Sequence, residues 1–335
     1  MNERKMMVKL LKVHGSGNDF FLLDQMEAQI QLTEDQLKKM AQSVCDRKKG
    51  LHGGADGLLL VLKSAHQNVV ARMRVINADG SEASMCGNGL RTVARYVATK
   101  EKLSPQNSFK IETMYADLQV KAAANLASGV PAYEVEISPV SFADSKIGMH
   151  VGQATLQNSV VPALSDSLKF SAVAVPNPHL ISFVDKQTLK SDQLVKMATY
   201  LNSENPYFPD GVNVSFVQKI SPNEIFVRTF ERGVGLTNAC GTAMSASSLI
   251  YVLQQLGQAG LEQTLKVLNP GGMVQTIVHQ RLDGSYWISL IGNATVTASV
   301  SLDAKEAMLG NFSQAKWYET GEQLAYENFV NSLQK

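Results

Sequence analysis

Along the chain, apolar residues recur with either a helical or an alternating period, and the switches between the two mark out the elements. Between residues 33 and 49, Leu37, Met40, Ala41, Val44 and Cys45 fall at helical spacing. Thr33 ahead of them predicts an N-cap, Glu34 and Asp35 suit the positive end of a first turn, and Gly50 supplies a stop. A second stripe of Leu90, Val93, Ala94 and Val97 predicts another helix and leaves Arg91 and Arg95 off its apolar face. Residues 243–256 are apolar or small nearly all round, which predicts a helix buried at the centre of its domain and ending before Gly257. The runs FVRTF, LKVLN, VQTIVHQ and YWISLIG largely alternate with period two and predict strands of a mostly antiparallel sheet around such a helix.

The chain also repeats itself. Cys86 follows Arg74 by twelve residues, Cys240 follows Arg228 by the same twelve, and 240−86, 228−74 and 211−57 all equal 154. The last difference aligns Ala55-Asp56-Gly57 before LLLVL with Pro209-Asp210-Gly211 before VNVSFV, a turn and then a strand in each half. Each half also opens on a polar turn before an apolar strand, Gly17-Asn18-Asp19 before FFLLD and Asn177-Pro178-His179 before LISFVD. Ser191 can cap a helix carrying Leu194, Val195, Ala198 and Leu201, the counterpart of the helix after Thr33. A chain of 335 residues is long for one core, so the duplication predicts two similar α/β domains of α+β type. They are placed at residues 1–139 and 140–302, with ISPVSFADS near the boundary and 303–335 as an extension whose role the residues do not disclose.

Composition narrows the function. Lys plus Arg totals 31 against 30 for Asp plus Glu, so the basic footprint of a nucleic-acid binder is missing. The N-terminal stretch has only short apolar pieces, too short for a secretory segment or a membrane span, and a cytoplasmic protein is expected. Three cysteines without a CxxC pair argue against a disulfide framework and a structural zinc site.

Each cysteine is therefore judged separately. A cysteine at the edge of an apolar helix is more often a small buried residue than a catalyst, and Cys45, with no counterpart in the other half, fits that description. Cys86 and Cys240 differ: each stands where a loop turns into a helix, in Cys-Gly-Asn-Gly and Cys-Gly-Thr-Ala. A helix start offers unpaired N–H groups and partial positive charge, which favour a thiolate and can hold a carboxylate. Gly87 and Gly241 allow a ligand to approach that backbone. If the halves pack face to face, the two sulfurs would meet over one substrate carbon, one removing a proton while the other delivers one.

The segments HGSGNDF, NADGSEASMCGNGLR, PNPH, FPDGVNVSFV and ERGVGLTNACGTA together resemble the diaminopimelate epimerase family, over nearly the whole chain to about Leu302. The resemblance implies two similar domains, each a mostly antiparallel sheet around a central helix, with the site in the cleft between them. It implies interconversion of LL- and meso-diaminopimelate without cofactor or metal. Cys86 and Cys240 match the family's acid/base cysteines, and His179 and Glu231 the pair that assists proton traffic. Asn18, Asn77, Asn177, Asn213 and Arg232 match substrate-gripping positions, while Gly87, Asn88, Gly241 and Thr242 match the donors at the helix starts. His179 and Glu231 could otherwise be a polar residue satisfied in a turn and a surface carboxylate. Gly57 departs from a substrate-binding Gln found in some members, Leu236 from a common Glu, and Ala243 from the usual Gly. The resemblance allows a homodimer, although Ala298 stands where a tyrosine used in dimer contact is often found, which argues against that route. Rival readings are a histidine or proline racemase on the same scaffold, and a thiol redox protein in which Cys86 and Cys240 form a reversible disulfide.

Overall fold

The computed structural model describes residues 6–26 and 31–333. Residues 1–5, the start of the stretch read as too short for a secretory segment, lie outside them. In chain order the elements are β1 (Met7–Gly15), β2 (Asn18–Asp24), α1 (Glu34–Val44), β3 (Gly57–Leu62), β4 (Ala71–Asn77), β5 (Glu82–Ala83), α2 (Gly87–Lys100), β6 (Phe109–Glu112), β7 (Asp117–Ala127) and β8 (Val130–Ile137). There follow α3 (Asp144–Ile147), β9 (Ser159–Val160), β10 (Lys169–Ala174), β11 (Pro178–Phe183), α4 (Lys186–Lys190), α5 (Gln193–Leu201), β12 (Asn213–Ser221), β13 (Glu224–Glu231), β14 (Gly235–Thr237) and α6 (Gly241–Tyr251). The chain ends with β15 (Thr264–Asn269), β16 (Gly272–Gln280), β17 (Tyr286–Asn293), β18 (Thr295–Asp303), α7 (Ala304–Met308), β19 (Lys316–Glu319) and α8 (Glu322–Leu333). Two compact units result: Met1–Val135 with Gly292–Lys335, and Glu136–Ile291.

Strand pairing repeats from unit to unit. In the first, β1 runs antiparallel to β2, β2 parallel to β3, β3 antiparallel to β4, and β4 antiparallel to β5 and parallel to β6, which turns back into β7. In the second, β10, β11, β12, β13, β14, β15 and β16 follow the same sequence of directions. Even registers correspond: Val75 faces Ala83 and Thr229 faces Thr237, with 229−75 and 237−83 both 154. Parallel pairs need a crossover, and helices fill them: α1 between β2 and β3, α5 between β11 and β12, α2 before β6 and α6 before β15.

Crossover helices cover both faces of the sheet, which is why β3 reads as an unbroken apolar run. Leu58 and Leu60 join Leu37, Met40, Ala41 and Val44 of α1 in one core. Leu59 turns the other way, and a methyl built on Gly89 of α2 would come 2.8 Å from it. In the second unit Leu194, Ala198 and Leu201 of α5 pack with Phe170, Leu180, Val214 and Phe216. The central helix α6 is buried at every residue from Gly241 to Tyr251, and its serines turn inward: Ser245 Oγ donates to Gly241 O and Ser248 Oγ to Met244 O. The expected fully buried helix is thus present in the second unit, α2 of the first is buried from Gly87 to Ala94, and antiparallel pairs dominate in both.

Several boundaries differ from the sequence reading. Thr33 caps α1 in a reciprocal capping box with Gln36, but the helix stops at Val44 instead of running to 49. Asp46 Oδ1 takes the N–H groups of Lys48 and Lys49, offering the backbone a turn in place of helix. Gly50 closes that turn, where a methyl would lie 2.4 Å from Asp46 O. Ser191 accepts the Gln193 N–H between α4, which Asp185 caps, and α5. Beyond Tyr251, α6 widens into one π turn at Val252–Leu256.

The placement of 292–302 in a second domain is corrected by strand pairing. β18 lies antiparallel to β1, with Leu10 opposite Val300 and Val8 opposite Leu302, so the chain returns to close the first sheet. The extension belongs to the same unit. β19 pairs with β18, setting Ala298 between Lys12 and Glu319, and the Arg95 guanidinium grips Glu322 of α8 through two bonds of 2.6 and 2.7 Å. Tyr326 and Phe329 of α8 are buried. Phe329→Ala is therefore expected to lower the unfolding free energy by about 3 kcal/mol, the usual range for truncating a buried aromatic. Urea denaturation checks this, and a loss below about 0.5 kcal/mol would show that α8 is not part of the first core.

Candidate active site

Cys86 and Cys240 occupy the same structural position, the residue before the first turn of a central helix, both with extended backbone. Their surroundings differ. Cys86 is half-buried; its Sγ accepts the Gly89 N–H at 3.4 Å, and the thiol donates to Asn18 Oδ1 at 3.4 Å. Asn18 also receives the Asn88 amide at 3.2 Å and gives its own Nδ2 to Asp56 Oδ2 at 2.5 Å. Asp56 in turn is held with Asp19 by Arg47. Despite the cost of burial, Arg47 and Lys12 keep the Asp19 carboxyl below its ordinary range. The orientation of Asn18 is thereby fixed from behind, its oxygen turned toward the sulfur.

Cys240 is buried, and burial, followed by the Glu231 carboxylate beside it, pushes its thiol well above the usual range. Thr242 Oγ1, 3.5 Å from the sulfur, pulls the other way. Glu231 accepts the Thr237 hydroxyl at 2.5 Å, so its carboxylate is placed by β14 and directed at the thiol. His179 is fully buried; Nε2 faces Asn177 Oδ1 at 3.1 Å, and Nδ1 has no partner. Burial, then the charge of Arg232, lowers its pKa to about 3, so the imidazole is neutral at ordinary pH.

The remaining predicted residues divide by unit. Asn213 lies opposite His179 in the β11–β12 pairing and is committed to backbone, donating to Pro178 O and accepting the Arg232 N–H. Arg232 is exposed, donates to Asp210 O at 2.9 Å and lines an open cavity of about 520 Å³ with Asn202, Asp210 and Gly211. Asn77 ends β4 and donates to Ser81 Oγ, with no bond to the Cys86 group. Gly87 and Gly241 open their helices as expected. Gly57 faces Asn77, and a methyl there would come 2.6 Å from Ile76 O, so the strands leave no room for a side chain. Leu236 is exposed on β14, and Ala243 is fully buried without disturbing α6. Cys45 is core, its thiol pushed up to about 12 by burial.

Sequence reasoning missed Asp56 and Arg47 as the support of Asn18, and Thr237 as the partner of Glu231. Asp56 had a signal in the repeated Asp-Gly turn, but as turn chemistry only. Arg91, expected off the apolar stripe, is instead fully buried. Among the described residues no group of three or more His, Cys, Asp or Glu is placed to hold a metal ion, and no helix is long and apolar enough to cross a membrane.

Two repeats of one α+β unit define a duplicated fold that solved structures share. A phenazine biosynthesis protein of the PhzF family from Bacillus anthracis superposes with a TM-score of 0.62 at 16% identity, covering 88% of this chain and 99% of its own. A hydroxyproline epimerase from Agrobacterium vitis gives 0.59 at 15% identity, covering 92% and 94%. Sequence comparison is more specific. The family model described as diaminopimelate epimerase matches residues 10–130 and 171–296, one segment in each half. Proteins named diaminopimelate epimerase from Ligilactobacillus salivarius and Lactiplantibacillus plantarum are 59% and 57% identical, over 98% of this chain and 100% of theirs. The chain belongs to the diaminopimelate epimerase family.

The buried imidazoles have a consequence for acid stability. Burial lowers the pKa of His14 from 6.5 to about 4 and that of His179 from 6.5 to about 3. Both are neutral in the folded chain, so the unfolded chain takes up protons first as pH falls. Their contribution is complete above about pH 6.5 and is lost below it, at about 1.4 kcal/mol per pH unit for each histidine. Urea denaturation between pH 7.5 and 5 is expected to show this decline, and His179→Gln is expected to flatten it by one histidine's share. Parallel curves for wild type and variant would contradict the buried neutral assignment.

Proposed function

We propose that the protein epimerises LL-diaminopimelate to meso-diaminopimelate, with Cys86 and Cys240 exchanging the α-proton, one as base and the other as acid. The reaction is that of the family, an isomerisation on the route to lysine. The observation that supports this assignment of roles is the repeated placement of a thiol at the start of each buried central helix. An acid and a base are both needed when a proton leaves one face of a carbon and another arrives on the opposite face.

The side chains suit those tasks. Cys240 is kept protonated by burial and by Glu231, which makes it the acid of the resting pair, and Glu231 can receive its proton in the reverse direction. With Asn177 Oδ1 accepting from Nε2, the tautomer of His179 leaves the Nδ1 lone pair of a neutral imidazole to accept a hydrogen bond from a group in the proton traffic. The amides at Gly87 and Asn88, and at Gly241 and Thr242, suit a carboxylate on which carbanion charge develops. Arg232 suits the distal carboxylate, because a guanidinium binds such a group through two parallel bonds. We infer a cytoplasmic enzyme of small-molecule substrate that works without cofactor, since the thiol pair supplies both proton-transfer groups.

Each cysteine variant, Cys86→Ala and Cys240→Ala, is expected to lower kcat by about 10²–10⁴-fold or more with the fold retained. Following α-deuteration in deuterated water on LL-diaminopimelate, L-histidine and L-proline tests mechanism and substrate together. Exchange confined to histidine or proline would replace the substrate, and full turnover by either cysteine variant would remove the two-base assignment.

A further inference from the structure

Arg91 is a buried cation with an incomplete set of partners. It is 0% exposed and heads the fully buried side chains by volume. Space for it is made by glycine: a methyl on Gly15 would come 2.7 Å from Nη2, and one on Gly292 2.9 Å from Cζ and Nε. Nε donates to Asn293 O at 3.1 Å, Nη2 reaches Ser16 Oγ at 3.4 Å, and Nη1 has no partner. Other arginines of this unit grip carboxylates: Arg47 with Asp19 and Asp56, Arg74 with Glu34 and Glu82, Arg95 with Glu322. Arg91 bonds to none. Burial lowers its pKa to about 10, which leaves it charged at neutral pH, and the acidic groups its charge reaches are the Cys86 thiol and the Tyr326 phenol. An unpaired charge in such a place is costly unless an anion compensates it for part of the time.

We propose that Arg91 is a positioning residue, a buried counter-charge that holds Cys86 as the thiolate, so that the resting pair is polarised with Cys86 charged and Cys240 protonated. The proposal deepens the acid/base reading above and rests on it. His14, Tyr326, Asp19, Asp56, Arg95 and Lys100 are each neutral or already paired. His14 on β1 is neutral, lying 4.7 Å from the Tyr326 ring, and burial pushes that phenol up to about 12. Asp19 and Asp56 behind Asn18 are compensated by Lys12 and Arg47. Farther along α2, Arg95 and Lys100 are neutralised by Glu322 and Asp24. Asn18 Oδ1 favours the protonated thiol, whereas the Gly89 N–H and Arg91 favour the thiolate, so loss of Arg91 tips the balance toward the proton.

The test is the pH profile of Cys86 alkylation by iodoacetamide in the full-length, substrate-free protein, read by mass spectrometry of the Cys86 peptide. Wild type is expected to show a midpoint below about 8.5, the ordinary thiol value. Arg91→Gln is expected to raise it by about one unit and to slow alkylation at pH 7 about tenfold, while Arg91→Lys keeps the low midpoint. A folded Arg91→Gln with an unchanged midpoint overturns the proposal. Should the variants fail to fold, the wild-type profile decides, and a midpoint at or above about 8.5 overturns it equally. Because the readout needs no turnover, an active Cys86→Ala enzyme would remove the catalytic reading while leaving this titration to stand or fall separately.

Discussion

The burial of the two central helices is the constraint on which the rest of the structure depends. A helix whose opening turns are enclosed must satisfy or use the amides of its first turn, and in both units the residue before that turn is a cysteine. Small side chains make the enclosure feasible: α6 reads Gly, Thr, Ala, Met, Ser, Ala, Ser, Ser, with two of the serine hydroxyls returned to its own carbonyls. The thiols are therefore fixed by the packing of whole helices and not by mobile loops.

Duplication gives the two thiols one backbone geometry, and local chemistry then makes them unlike. Cys240 lies against a carboxylate in a dry environment, which favours the proton. Cys86 is partly solvated, takes a backbone N–H, and shares its unit with a buried guanidinium. Symmetric backbone with asymmetric charge suits a proton transfer in which the two groups exchange roles, because each needs a stable form in either state. Supporting residues are recruited separately: Asp56 and Arg47 for Asn18, Thr237 for Glu231.

Much of this was legible in the sequence. The offset of 154 residues carried both the repeat and the matched cysteines, and it reappears in the strand registers. Helical spacing found α1, and the all-apolar run found α6, because amphipathicity and its absence report directly on which faces meet water. The end of α1 was misjudged because Asp46 competes for amides through its side chain, which leaves no mark on hydrophobic period. Arg91 was misjudged for a related reason. A charged residue off an apolar stripe reads as solvated, and only the gaps left by Gly15 and Gly292, far from it in sequence, make it internal.

What the sequence by itself determined is therefore the repeated unit, most of its elements and the matched placement of two cysteines before its central helices, since these follow from local periodicity and residue chemistry. Tertiary structure alone decided that β18 and the C-terminal extension close the first unit, through the pairing of β18 with β1, and that the environments of the two thiols diverge. Strand partners distant in sequence and the charge felt at a buried atom depend on which surfaces meet, and no pattern along a single stretch of chain records that.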